Sequence, residues 1–121
     1  MTVFLDSDIV IYLVEGTSPW GPKADARVAA LRAANTGLAV SDLVRIECRV
    51  GPLKSGNAAR LRDFDLFFGT VTVFAVTAAV HGFKPVDSLN LATAVVNRCD
   101  LFLTHDAQLR RFPDITVEVL S

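Results

Sequence analysis

The chain has 121 residues, of which 51% are apolar and 21% charged, with a formal net charge of −1 and a mean hydropathy of +0.40. That length predicts one domain able to fold alone and to bury about two-thirds of its unfolded surface. A net charge so close to zero excludes bulk electrostatic attraction to nucleic acid, and no apolar run nears the roughly 18 residues that span a bilayer.

The apolar run at the N-terminus starts at once and is broken by Asp6 and Asp8, with no basic segment before it, so a cytoplasmic location is expected. Cys48 and Cys99 have neither zinc-knuckle spacing nor the density of a disulfide scaffold and read as buried thiols. Such apolar content on so small a chain also points to cover by a partner or a second copy.

In chain order, Thr2 to Leu5 is a short strand ending at Asp6, and Ile9 to Val14 continues as a helix after the Ser7-Asp8 cap signal. Thr17 to Pro22 is a break, and Ala24 to Ala34 is a helix closed by Gly37. Leu38 to Val40 is a strand. Ser41 and Asp42 cap a helix with Leu43, Ile46 and Val50 on its apolar face and Glu47 beside it, stopped by Gly51-Pro52. Ala58 to Phe68 is a helix with Leu61, Phe64, Phe67 and Phe68 inward, closed by Gly69, before the strand Val71 to Phe74. Thr77 to Val80 is a helical stub ahead of His81-Gly82. Asp87 to Asn97 is a helix with Leu91, Ala94 and Val95 inward, Leu101 to Leu103 a strand, Asp106 a cap, and Ile115 to Val119 the last strand.

Strands alternating with helices predict an α/β fold of three layers, α/β/α, with a mainly parallel central sheet. Ligands in such sheets collect at the carboxyl ends of the strands, where topology places Asp6 and Asp106. Asp87 opens the helix before the strand that leads to Asp106, and Glu47 joins them only if its helix leans over the sheet edge. Gathered, the four acids make an oxygen-only cage for a hard divalent cation. Each also has a plainer reading, since Asp87 can cap the amide of Asn90 and Asp106 the turn at Ala107. Glu47 is the most telling, because a carboxylate beside apolar residues loses hydration that a cation or hydrogen bonds must replace.

Five of the twelve basic residues, Arg45, Arg49, Lys54, Arg60 and Arg62, fall between the second acidic position, which Arg45 just precedes, and the middle of the chain. They suit an enzyme that holds a polyanion beside acids, or form a solvated helix face. His81 and His105 lack partners at metal-ligand spacing. No Gly-x-Ser-x-Gly and no Gly-rich phosphate loop is present, which removes nucleophilic serine and phosphate-loop chemistry.

The segments Val3 to Asp8, Ser41 to Glu47, Val86 to Ala94 and Leu101 to Asp106, in that order, resemble the PIN domain and specifically VapC-type toxins. The resemblance implies a Mg²⁺- or Mn²⁺-dependent endoribonuclease, neutralised by a VapB-type antitoxin and homodimeric. Asp6, Glu47, Asp87 and Asp106 match the family's catalytic, metal-holding acids. Thr104 matches the hydroxyl residue that supports the last of them, and Ser7 is a second supporting residue. Arg45 and Arg49, one turn apart on the helix that carries Glu47, are candidates for phosphate or antitoxin contact. Three features depart from the pattern: Asn90 stands where many relatives have His, His105 where many have Asn, and the segment from Phe74 to Pro85 is short for a full helix. Two rivals remain, a non-catalytic acidic binding module and, from Asp6-x-Asp8, a phosphatase of the haloacid dehalogenase type.

Overall fold

A computed structural model describes residues 1–77 and 86–121, with side chains described throughout except at 86–88. Residues 78–80 of the expected stub, His81 and the side chain of Asp87 lie outside the described residues. Five strands, β1 (Thr2–Leu5), β2 (Gly37–Ser41), β3 (Thr72–Phe74), β4 (Leu101–Thr104) and β5 (Thr116–Val119), form one sheet in the order β3-β2-β1-β4-β5. Every pairing is parallel, with Phe4 opposite Ala39 on one side and Phe102 on the other.

A parallel sheet hides both faces, so its central strands must be apolar at consecutive positions rather than alternating. Val3-Phe4-Leu5, Leu38-Ala39-Val40 and Leu101-Phe102-Leu103 meet that demand, and all nine residues are buried. Phe4 and Phe102 stack at 5.1 Å between ring centroids across adjacent strands. Each such buried Phe contributes about 1.5–3 kcal/mol through removal from water.

The helices are α1 (Ser7–Glu15), α2 (Trp20–Ala33), α3 (Asp42–Ser55), α4 (Ala58–Phe68) and α5 (Val86–Val96), with a short 3-10 helix at Ala107–Arg111. Chain order runs outward from β1 to β2 to β3, then jumps back past β1 to β4 and β5. Right-handed crossovers therefore put α1 to α4 on one face and α5 on the other, giving the three α/β/α layers. Arg27 of α2 clamps Glu118 of β5 through two hydrogen bonds of 2.6 and 2.7 Å. Among the described residues no helix is long and apolar enough to cross a membrane.

The elements depart from the sequence expectations in four places. Helix α2 begins at Trp20, not Ala24, because Pro22 sits in its first turn, where a missing N–H costs nothing. Its end is turned by Asn35 in the left-handed region (φ 58°), and Gly37 opens β2 instead of closing the helix. Helix α3 runs through Pro52 to Ser55 and stops at left-handed Gly56. The interior proline is held by burial of its ring, along with Val44 and Cys48 eight and four residues before it. The buried face of α3 is thus Val44-Cys48-Pro52, whereas Ile46 and Val50 are exposed and Leu43 is half-buried.

Helices α1 and α2 approach so closely that a Cβ on Gly21 would lie 2.3 Å from the carbonyl carbon of Gly16. The contact turns the chain sharply and sets Tyr12 and Trp20 side by side, with 6.3 Å between ring centroids.

Candidate active site

The strand order reverses direction between β1 and β4, and a parallel sheet opens a crevice at the carboxyl ends of the strands flanking such a reversal. Asp6 follows β1 and Thr104-His105-Asp106 ends and follows β4, so both sides of this crevice carry polar groups. Asp6 is only 5% exposed. Its Oδ1 accepts the amide of Ser7 at 2.9 Å, capping α1, and its Oδ2 accepts the Thr104 hydroxyl at 2.8 Å. The same hydroxyl oxygen accepts the amide of Asp106 at 3.1 Å, so one fully buried threonine bridges the acids of two strands. Asp106 in turn caps the 3-10 helix by accepting the amide of Gln108 at 3.0 Å.

Asp8 is a member of this group that the sequence reading left as a cap or solvated residue. Its Oδ1 accepts the amide of Ile9 at 2.7 Å, and its Oδ2 accepts the amide of His105 at 3.0 Å. Burial raises its carboxyl above the ordinary value, opposed in part by the amides of His105 and Ile9. The Asp6-x-Asp8 spacing was its only signal, because position i+2 on α1 reaches β4 only after the strands pair.

The second group sits between α3 and α5. Ser41 caps α3 by accepting the amide of Val44 at 3.1 Å and donates its hydroxyl to Asn90 Oδ1 at 2.6 Å. Asn90 Nδ2 then donates to Glu47 Oε1 at 3.2 Å. Asn90 and Ser41 are fully buried, and Glu47 is half-buried. The helix carrying Glu47 therefore does lean toward α5, where Asp87 stands one turn before Asn90. The sequence reading had no signal for this role of Ser41, since a cap serine looks the same whether or not its proton reaches another helix.

Cys48 lies where the two groups meet. Its thiol donates to the Ser7 carbonyl at 3.8 Å and is pushed up to about 12, first by burial and then by the carboxylates of Glu47, Asp6, Asp8 and Glu15. The carboxylates around it are oxygen donors, which suit a hard cation. Among the described residues no three His, Cys, Asp or Glu side chains come together as a metal-holding group. Asp6, Glu47 and Asp106 therefore do not close a cage by themselves.

The two candidate phosphate contacts carry other bonds. Arg45 is exposed and pairs with Asp42 at 3.2 Å, and Arg49 reaches Asp65 of α4 at 3.6 Å. Each stands two residues from Glu47, about 200° around the helix. His105 is held by Tyr12, whose hydroxyl lies 2.6 Å from its Nδ1, and its ring centroid is 4.0 Å from that of Trp20.

No protein-family profile matches the sequence, and no curated protein matches it. Solved structures do. A structure of VapBC2 from Rickettsia felis bound to a DNA fragment from its promoter superposes with a TM-score of 0.81 at 18% identity, covering 100% of both chains. VapBC-1 from nontypeable Haemophilus influenzae gives 0.73 at 19% identity and 98% of both chains. The PIN domain endonuclease Utp24 gives 0.61 at 18% identity, covering 99% of this chain and 85% of its own. At such identities the likeness is one of backbone architecture, and that architecture is the PIN-domain fold in the form it takes in VapBC structures.

Proposed function

We propose that this chain is a metal-dependent endoribonuclease, the toxin of a type II toxin–antitoxin pair, hydrolysing RNA phosphodiesters with a metal-activated water. The observation that carries the reading is Asp6, a carboxylate almost wholly buried at the mouth of the crevice where the strand order reverses. Burial of that kind is costly, and a cation would offset it together with the hydrogen bonds from Ser7 and Thr104. Asp6, Glu47, Asp87 and Asp106 would hold the ion, Mg²⁺ or Mn²⁺. When bound, it supplies a water of lowered pKa and offsets charge on the departing oxygen.

The chain's own residues do the positioning. Thr104 fixes Asp6 and the start of the Asp106 turn with one hydroxyl, Ser7 holds the other Asp6 oxygen, and Asn90 draws Glu47 inward. Arg45 and Arg49, on the far side of α3 from Glu47, contact phosphates flanking the scissile one rather than the reacting group. The likeness to VapBC structures supports an antitoxin as partner. Ile46, Val50 and Leu53, which recur along one face of α3, are 58%, 42% and 60% exposed and offer it an apolar stripe. A cytoplasmic location and a homodimer belong to the same reading.

Incubation of the purified protein with single-stranded RNA, with Mg²⁺ and with EDTA, tests the enzyme. Cleavage should require the metal and vanish in Asp6→Asn; full activity of that variant refutes the site. Mapping RNA ends after induced expression identifies the target. The partner surface is tested by Ile46→Asp with Leu53→Asp, which should abolish co-purification with the antitoxin; retained co-purification refutes that assignment.

A further inference from the structure

One cluster beside the acids is not used by the hydrolytic reading. His105, between Thr104 and Asp106, packs edge-on against Tyr12 with 5.4 Å between centroids and lies tilted at 46° to Trp20. Tyr12 and Trp20 complete the triangle, and the ammonium of Lys23 sits 4.7 Å from the centre of the Trp20 ring. All three rings are partly exposed, and Lys23 is exposed.

Core packing alone does not account for this arrangement. Tyr12 and Trp20 rest one side on the core, yet all three rings stay partly exposed at the open end of the sheet, fastened to the site by two hydrogen bonds. One is Tyr12 to His105 Nδ1 at 2.6 Å, the other the His105 amide to Asp8 at 3.0 Å. A partly exposed indole capped by a lysine is a face that a flat, electron-poor ring can take over as the lysine swings aside on its four-carbon stem. The released ammonium is then beside the ligand's own phosphate, where the neighbouring acids give no help.

We infer that Tyr12, Trp20 and His105 form a base-stacking platform for single-stranded RNA, with Lys23 as its phosphate contact, which holds a nucleotide next to the scissile bond. This rests on the ribonuclease reading of the acids, yet its test is separate. Base–aromatic stacking tolerates every base, so the platform would add affinity and fix the strand's register more than select a sequence.

Trp20 is the only tryptophan in the chain, so its fluorescence reports this site alone. A phosphorothioate-linked 12-nucleotide single-stranded RNA, cleaved slowly, is titrated in the presence of Mg²⁺. Saturable quenching of Trp20 is expected. With a 5′-fluorescein label, Trp20→Leu should weaken binding roughly 5- to 150-fold, the worth of one stacked base. Trp20→Phe should recover most of the loss, and exposed Lys23→Ala should lower the slope of log affinity against log salt by about one. Unchanged emission at saturation, or Trp20→Leu binding within twofold of the parent, overturns the platform. If quenching and the Trp20→Leu loss appear but the protein cleaves no RNA, the platform stands and the nuclease reading fails. If Asp6→Asn abolishes cleavage while Trp20→Leu binds normally, the reverse holds.

Discussion

Replacing Thr104 by valine keeps the shape of a fully buried side chain and removes only its hydroxyl. In the folded protein that oxygen donates to Asp6 at 2.8 Å and accepts from the Asp106 amide at 3.1 Å. The first bond is to a carboxylate and contributes about 1.5–3 kcal/mol net; leaving the amide of Asp106 without its acceptor adds about 1–3 kcal/mol. The two losses share one oxygen and are not strictly additive, so the expected destabilisation is about 3 kcal/mol. That is roughly a 10 °C fall in Tm for a chain of this size. Thr104→Ser, which keeps the oxygen and loses a methyl, should cost only about 1 kcal/mol. Urea unfolding at neutral pH measures both. Because the hydroxyl also orients Asp6, cleavage by Thr104→Val should drop roughly 10- to 100-fold under conditions where the variant is still folded. A valine variant as stable as the serine variant would show that the hydroxyl does not bridge the two strands, and the account of the crevice would fall with it.

Gly21→Ala should destabilise the protein by about 1–3 kcal/mol or more, since its methyl would meet the Gly16 backbone at 2.3–2.6 Å; an unchanged urea midpoint refutes the close approach. Asp8 gives a pH dependence of unusual sign. Its folded carboxyl titrates above the ordinary value, so between the two values the folded state holds more protons than the unfolded state, and Asp8's contribution to stability falls as pH rises from about 3.8. Comparing unfolding free energies of the parent and Asp8→Asn from pH 3.5 to 6 isolates it; a difference that grows the other way contradicts the burial described. Cys48 and Cys99, raised to about 12 and about 11, should both be silent to a thiol reagent at pH 8 in the native state and react after unfolding; rapid labelling of either in the native protein refutes its protonated, buried state.

The apolar runs Val3 to Leu5 and Leu101 to Leu103 could only be strands buried on both faces, and the order of strands and helices was enough to predict the layered parallel sheet. The carboxyl-end placement of Asp6 and Asp106 followed from that order, because residues that directly follow a strand go where the strand ends. Caps such as Ser41 and Asp106 were legible for the same reason: they act on amides two or three residues away. Helix α3 was misread because its most apolar spacing, Leu43-Ile46-Val50, is the outward one. Only packing against the sheet and α4 reveals that Val44, Cys48 and Pro52 face in. The hydroxyl bridge from β1 to β4, the Ser41-Asn90-Glu47 chain, the recruitment of Asp8 and the aromatic triangle around His105 join residues 43 to 98 positions apart. Local sequence settles backbone preference and which residues must leave water. Contacts at such separations depend on crossover handedness and on how far each helix leans, and those are decided only when the whole core packs.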